Sequence, residues 1–205
     1  SSAFIPVYSE TLELKGEKEA FHLSNIVLTL LSTGMVGLLI LLEGLFYFLL
    51  SSNRLPPTLA LTVDLLRILF PYLWLISLYA LGMGILNCHK RFFSSSLGPI
   101  ILDLVWIFAV IWFPSFVRDV PEEKLRYLAC AIFFSGFLQL ASEFPSLKKI
   151  GFRPRWIWNT GHTGLKKIMY LLLPALMSFA VMQINIFVDM TLGMLIGAGA
   201  NSSLW

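Results

Sequence analysis

Charge is scarce in this chain. Only 13% of its 205 residues are Asp, Glu, Lys or Arg, about half of what a soluble domain carries. That shortage excludes an ordinary solvated surface. Cysteine is scarcer still. Cys88 and Cys130 stand far apart and outside any CxxC pattern, so neither a disulfide framework nor a thiolate metal site is expected, and both read as small apolar residues. His22, His89 and His162 have no second ligand at metal spacing and read as polar residues near a membrane interface. HExxH, GxSxG, Walker A and Rossmann glycine patterns are all missing, so no enzyme chemistry is expected. The net charge of +3 is small, and the basic residues form no single broad stripe, so nucleic acid is not an expected partner. No basic start with a small-residue cleavage site marks a signal peptide.

What the chain has in quantity is apolar sequence: 57% hydrophobic residues and a mean hydropathy of +0.78. A spanning helix needs roughly 20 mostly apolar residues, because hydrocarbon is about 30 Å thick and a helix rises about 1.5 Å per residue. Five blocks meet that requirement, at about 21–50, 59–87, 96–114, 124–144 and 166–198. The opening SSAFIPVY, residues 1–8, is too short to span and reads as the end of a preceding helix. The connections at 9–20, 51–57, 88–95, 115–123 and 145–165 are short and polar. Pro71 and Pro174 fall inside helices, where each removes a backbone bond and should kink the rod. The fold class is therefore all-α, a polytopic transmembrane helical bundle.

Orientation follows from Lys and Arg in the loops. The side carrying loops 9–20, 88–95 and 145–167 holds ten of them, and the opposite side, with Arg54, Arg118, Lys124 and Arg126, holds four. The first side is cytoplasmic by that count.

Ionisable groups inside apolar blocks cost energy in lipid and usually face a bundle interior or a water-filled cavity. Glu43 lies near the outer end of its block, within reach of the interface. Asp64 and Arg67 are three apart near the outer start of their helix and read as a local ion pair, with a role as candidate cavity-lining residues the alternative. Asp103 is expected to pack inward on a polar partner. Asp189, in QINIFVD, is the sharpest case. Ser178, Asn185, Asp189 and Gly193 are spaced seven, four and four, so they share one helix face. A carboxylate with an amide oxygen suits a hard cation such as Na⁺ or a proton relay, and the same stripe could be interhelical hydrogen-bond glue. No cofactor beyond Na⁺ is expected. The loop LKKIGFRPRWIWNTGHTGLKK carries Lys148, Lys149, Arg153 and Arg155 together with Trp156 and Trp158. Cations favour anionic headgroups and tryptophan the interface, so this linker is read as lying on the cytoplasmic membrane surface.

Several of these stretches together resemble one family. LTVDLLRILFPYLWLISLYALGMGILNCHKRFFSSSLGPIILDL (61–104) is similar to the fourth and fifth helices of the MurJ (MviN) lipid II flippases. SSAFIPVYSE resembles the end of that family's second helix, GFLQLASEFPSLKKIGFR (136–153) the end of its sixth, and PALMSFAVMQINIFVD (174–189) its seventh. The resemblance implies a MOP-superfamily fold, with residues 21–144 as four helices of the N-terminal lobe, 145–165 as the inter-lobe linker and 166–198 as the first helix of the C-terminal lobe. It implies alternating access in the bacterial inner membrane, with lipid II as substrate and membrane lipids and the remaining half of the transporter as partners, in service of cell-wall synthesis. It also implies Na⁺ at Asp189 and Asn185, since some members bind sodium through an acidic residue there. The family's important arginines and an aspartate fall in helices outside this chain, which is expected to be a piece of a longer protein and inactive alone. The chain departs from the family at SSNRLPP and at Asp103, and Glu43 has no family role. A related exporter of another lipid-linked sugar or drug, and a non-transporting membrane scaffold or relic, are the alternatives.

Overall fold

A computed structural model describes residues 3–51, 56–112 and 121–196. Arg54 and Arg118 of the outer-side charge count, residues 1–2, and residues 197–198 at the end of the fifth expected span lie outside the described residues. Seven helices follow one another: α1 (Phe4–Lys15), α2 (Glu17–Ser51), α3 (Pro57–Cys88), the single-turn α4 (Phe92–Ser95), α5 (Leu97–Trp112), α6 (Pro121–Lys149) and α7 (Thr163–Ile196). Five stretches are long and apolar enough to cross a membrane: Glu17–Ser51, Pro57–Cys88, Phe92–Trp112, Glu122–Lys149 and Thr163–Gly193.

The helices run further than the apolar blocks suggest. Residues 9–20 read as a loop, yet α1 continues to Lys15 and α2 begins at Glu17. LELK is good helix sequence, and the break needs only Gly16, at φ +83 and ψ 176, a conformation open to glycine and costly for other residues. Its N–H bonds the Leu12 carbonyl at 3.1 Å, and its carbonyl accepts from Ala20 at 3.2 Å. Likewise α6 passes through Pro145 to Lys149, so Lys148 and Lys149 occupy the last turn of a helix rather than a loop. A Schellman motif then reverses the chain. The Phe152 N–H bonds the Leu147 carbonyl and the Gly151 N–H bonds the Lys148 carbonyl, both at 3.1 Å, with Gly151 left-handed at φ +84. The same pair of bonds ends α3, where Arg91 reaches Leu86 and Lys90 reaches Asn87, with Lys90 at φ +59.

Packing is uneven along the bundle. α3 and α6 form the most extensive interface, α5 lies against α6, and α2 lies against α3. The best-buried cluster gathers Phe4, Val7 and Tyr8 of α1, Leu23 of α2, Leu81 and Ile85 of α3, Phe152 and Ile168, at the end that the charge count makes cytoplasmic. By contrast α7 makes its main contacts with α1 and α2, and its outer part is exposed nearly all round. Exposed Leu, Ile, Phe and Trp along α2, α5 and α7 suit lipid or neighbouring spanning helices, where no water need be displaced.

Candidate functional site

Four charged side chains meet at the outer end of α2, α3 and α6. Arg67 Nε donates to Glu43 Oε1 at 2.8 Å, and its Nη2 also reaches that oxygen. Arg126 Nε donates to Asp64 Oδ2 at 2.6 Å. The expected local pair between Asp64 and Arg67 is therefore corrected: each bonds to a neighbouring helix instead. A hydrogen-bonded partner across the bundle outcompetes a residue merely three positions along the same helix, whose contact is worth only a few tenths of a kcal/mol. Glu43, which sequence reasoning left without a role, is the partner of Arg67. Glu43, Asp64 and Arg67 line a cavity of about 630 Å³ floored by Phe46, Ile68 and Phe70. The pairs are roughly half exposed. In water such pairs contribute little, but at the edge of hydrocarbon each charge left single would be costly.

The α7 residues are placed differently. Ser178, Asn185 and Asp189 are all exposed. The Ser178 hydroxyl is turned back to the Pro174 carbonyl at 3.1 Å. Neither Asn185 nor Asp189 has a hydrogen bond or ion pair among the described residues. Asp189 lies 26 residues beyond Thr163, roughly 39 Å along the helix, a distance longer than the roughly 30 Å of a hydrocarbon core. Asp103 is also exposed on α5 without a partner among the described residues, not packed inward as expected.

A second polar stripe escaped notice in the sequence. Ser135, Gln139 and Glu143 are spaced by four on α6 and are 0%, 2% and 1% exposed. Gln139 Nε2 donates to the Tyr72 hydroxyl at 3.3 Å. The Glu143 carboxyl sits where a Cβ on Gly82 would be, and neither of its oxygens meets a hydrogen-bond partner among the described residues. The spacing-four signal was legible; the deep burial was not.

The FPY…LN…RF run turns out to hold a corner. Tyr79, 5% exposed, donates to the Ser95 carbonyl at 2.7 Å and accepts from the Gly98 N–H at 2.9 Å. Ser95 in turn bonds Asn87 Oδ1 at 2.5 Å. These bonds lock the turn from α3 through α4 into α5.

The linker is fastened to α2. Asn25 Oδ1 accepts from the Arg155 N–H at 2.7 Å, and its Nδ2 donates to the Arg153 carbonyl at 3.3 Å. Thr29 Oγ1 accepts from the Ile157 N–H at 2.9 Å. At the start of α7, His162 Nδ1 accepts from the Gly164 N–H, which leaves Nε2 to donate to Glu19 at 3.1 Å, and Lys167 pairs with Glu10. Arg153, Arg155, Trp156 and Trp158 project outward. Nearby, Tyr8 bonds His89 Nε2 at 3.0 Å, and burial holds the His89 imidazole below its ordinary pKa, with Glu17 opposing.

Five helices long and apolar enough to span, with charged groups at one cavity (Glu43, Asp64, Arg67) and at one helix crossing (Glu143), define a multi-pass, all-α membrane protein. A profile of the family described as lipid II flippase MurJ matches residues 1–205, and the chain belongs to that family. It is 32% identical over 213 residues to a probable lipid II flippase MurJ of Buchnera aphidicola subsp. Acyrthosiphon pisum, covering 100% of this chain and 40% of the relative. It is 32% identical over 198 residues to the one of Rickettsia prowazekii, covering 94% and 38%. With the lipid II flippase MurJ of Burkholderia cenocepacia the identity is 28% over 214 residues, covering 98% and 40%. The chain thus spans about two fifths of the length of these relatives. Its place is the bacterial inner membrane, as a multi-pass protein.

Proposed function

We propose that the polypeptide containing this segment flips lipid II, the undecaprenyl-linked peptidoglycan precursor, across the inner membrane by alternating access, in service of wall synthesis. The observation that carries this reading is the family match along the whole segment, residues 1–205. In it, lipid II and membrane lipids are partners, and the helices supplied by the rest of the transporter close the space beside α7. Asp64 and Arg67, with Glu43, line the outer part of the substrate path, and Ser178 lines it from α7. The end of α6, with Lys148 and Lys149, and the linker, with Arg153, Arg155, Trp156 and Trp158, rest on the cytoplasmic membrane surface. A flippase-depleted bacterium that expresses the full polypeptide should regain growth and lipid II export. Persistent lysis with the protein present in the membrane would overturn the reading.

Asp189 and Asn185 form the candidate Na⁺ site. A carboxylate and an amide oxygen one turn apart are hard oxygen donors, suited to a hard cation. Their exposure on α7 leaves them accessible to further oxygen ligands from a neighbouring helix. Asp189→Ala in the full protein should abolish sodium dependence of transport while membrane insertion stays normal. Unchanged sodium dependence in reconstituted vesicles would remove the ion role.

A further inference from the structure

The reversal at the end of α6 builds a pocket of about 270 Å³ lined by Phe144, Leu147, Lys148, Phe152, Arg153 and Pro154. Phe144 and Lys148 are one helical turn apart and share a face. Phe152 and Arg153 return to that face through the Schellman turn, with the Arg153 carbonyl held by Asn25. The wall is therefore fixed on both sides. Among the described residues, neither Lys148 nor Arg153 has a carboxylate within ion-pair distance, whereas Arg67, Arg126 and Lys167 each have one. The Leu147 and Lys148 carbonyls, which would repel an anion at a helix C-terminus, are engaged by Phe152 and Gly151. Two uncompensated cations beside two aromatic rings call for a ligand with negative charge at one end and an apolar body at the other. An Arg fork and a Lys point charge together suit a phosphate group.

We propose that this pocket binds the phosphate headgroup of an anionic glycerophospholipid in the cytoplasmic leaflet. Lys148 and Arg153 engage the phosphate, and the start of the acyl chains lies against exposed Phe144, with Phe152 behind it in the buried wall. The bound lipid anchors the end of α6 and the fastened start of the linker to the membrane surface. This assignment rests on the surface reading of the linker, and it is independent of which substrate is transported.

The test uses the full-length protein in detergent, titrated with short-chain phosphatidylglycerol or phosphatidylcholine and followed by native mass spectrometry. The wild type should prefer phosphatidylglycerol by about thirtyfold, the preference expected from two surface cations. Lys148→Gln combined with Arg153→Gln should erase the preference, Lys166→Gln should leave it intact, and Lys148→Arg should retain most of it at an unchanged thermal midpoint. Equal binding of the two lipids by the wild type would overturn the proposal. So would a preference that survives in the double variant, or displacement of the lipid by equimolar inorganic phosphate. Because the readout is lipid retention, failure of lipid II export leaves it unaffected, and loss of the preference does not bear on export.

Discussion

Gly98→Ala should lower the thermal midpoint of the protein by about 10 °C in detergent. The added methyl carbon would lie 2.3 Å from Tyr79 Cζ, 2.4 Å from its oxygen and 2.6 Å from Cε1, separations that no packed carbon tolerates. The ring cannot step aside freely. It is 5% exposed, and its hydroxyl is bonded to the Ser95 carbonyl and the Gly98 N–H. Overpacking costs about 1–3 kcal/mol, and displacing the hydroxyl leaves two buried backbone groups unpaired at about 1–3 kcal/mol each. A total of several kcal/mol corresponds to about 10 °C or more in a protein of this size. Tyr79→Phe alone should cost less, since it removes the bonds without the collision. A midpoint for Gly98→Ala within about 2 °C of wild type would mean that the corner from α3 to α5 does not rest on this contact.

Asn25→Leu should free the linker while leaving the helices assembled. The substitution keeps the branched side-chain shape, with somewhat larger bulk, but removes both bonds to the Arg153 carbonyl and the Arg155 N–H, and Asn25 is only 4% exposed. At about 1 kcal/mol net for each bond, local opening should rise on the order of tenfold or more. Trypsin reads this directly. Arg153 precedes Pro154 and resists cleavage, so the sensitive bond is Arg155–Trp156. Limited proteolysis of the variant should cut there on the order of ten times faster, with the thermal midpoint little changed. Equal cutting rates would show that the linker is held by something other than Asn25. Thr29→Val, which removes the bond to Ile157, should add to the effect.

Two polar stripes show how far residue spacing can be taken. Ser178, Asn185 and Asp189 on α7 stood out in the sequence because Asp189 interrupts a long apolar run. Ser135, Gln139 and Glu143 on α6 have equally regular spacing, but their one ionisable member, Glu143, falls at the end of its apolar block, where a charge looks unremarkable. In the folded chain the α7 stripe is exposed and the α6 stripe is buried. Spacing reports which residues share a face. It carries no information about what that face meets, because that depends on where another helix crosses. Gly82 makes the α3–α6 crossing close enough to enclose Glu143, and nothing near residue 143 in the sequence announces it.

The existence of five helices long and apolar enough to span, and their all-α class, were determined by the sequence alone. An apolar run of about 20 residues has only one way to satisfy its backbone in hydrocarbon. The collinear motifs also carried the family. The tertiary structure alone decided the partners: Arg67 with Glu43 rather than Asp64, Asn25 with the linker backbone, and Tyr79 with the α4–α5 turn. These bonds join residues separated by 16 to 130 positions. Such pairings follow from how the helices are rotated and crossed in the bundle, a property of all the packing surfaces together and of no local run of residues.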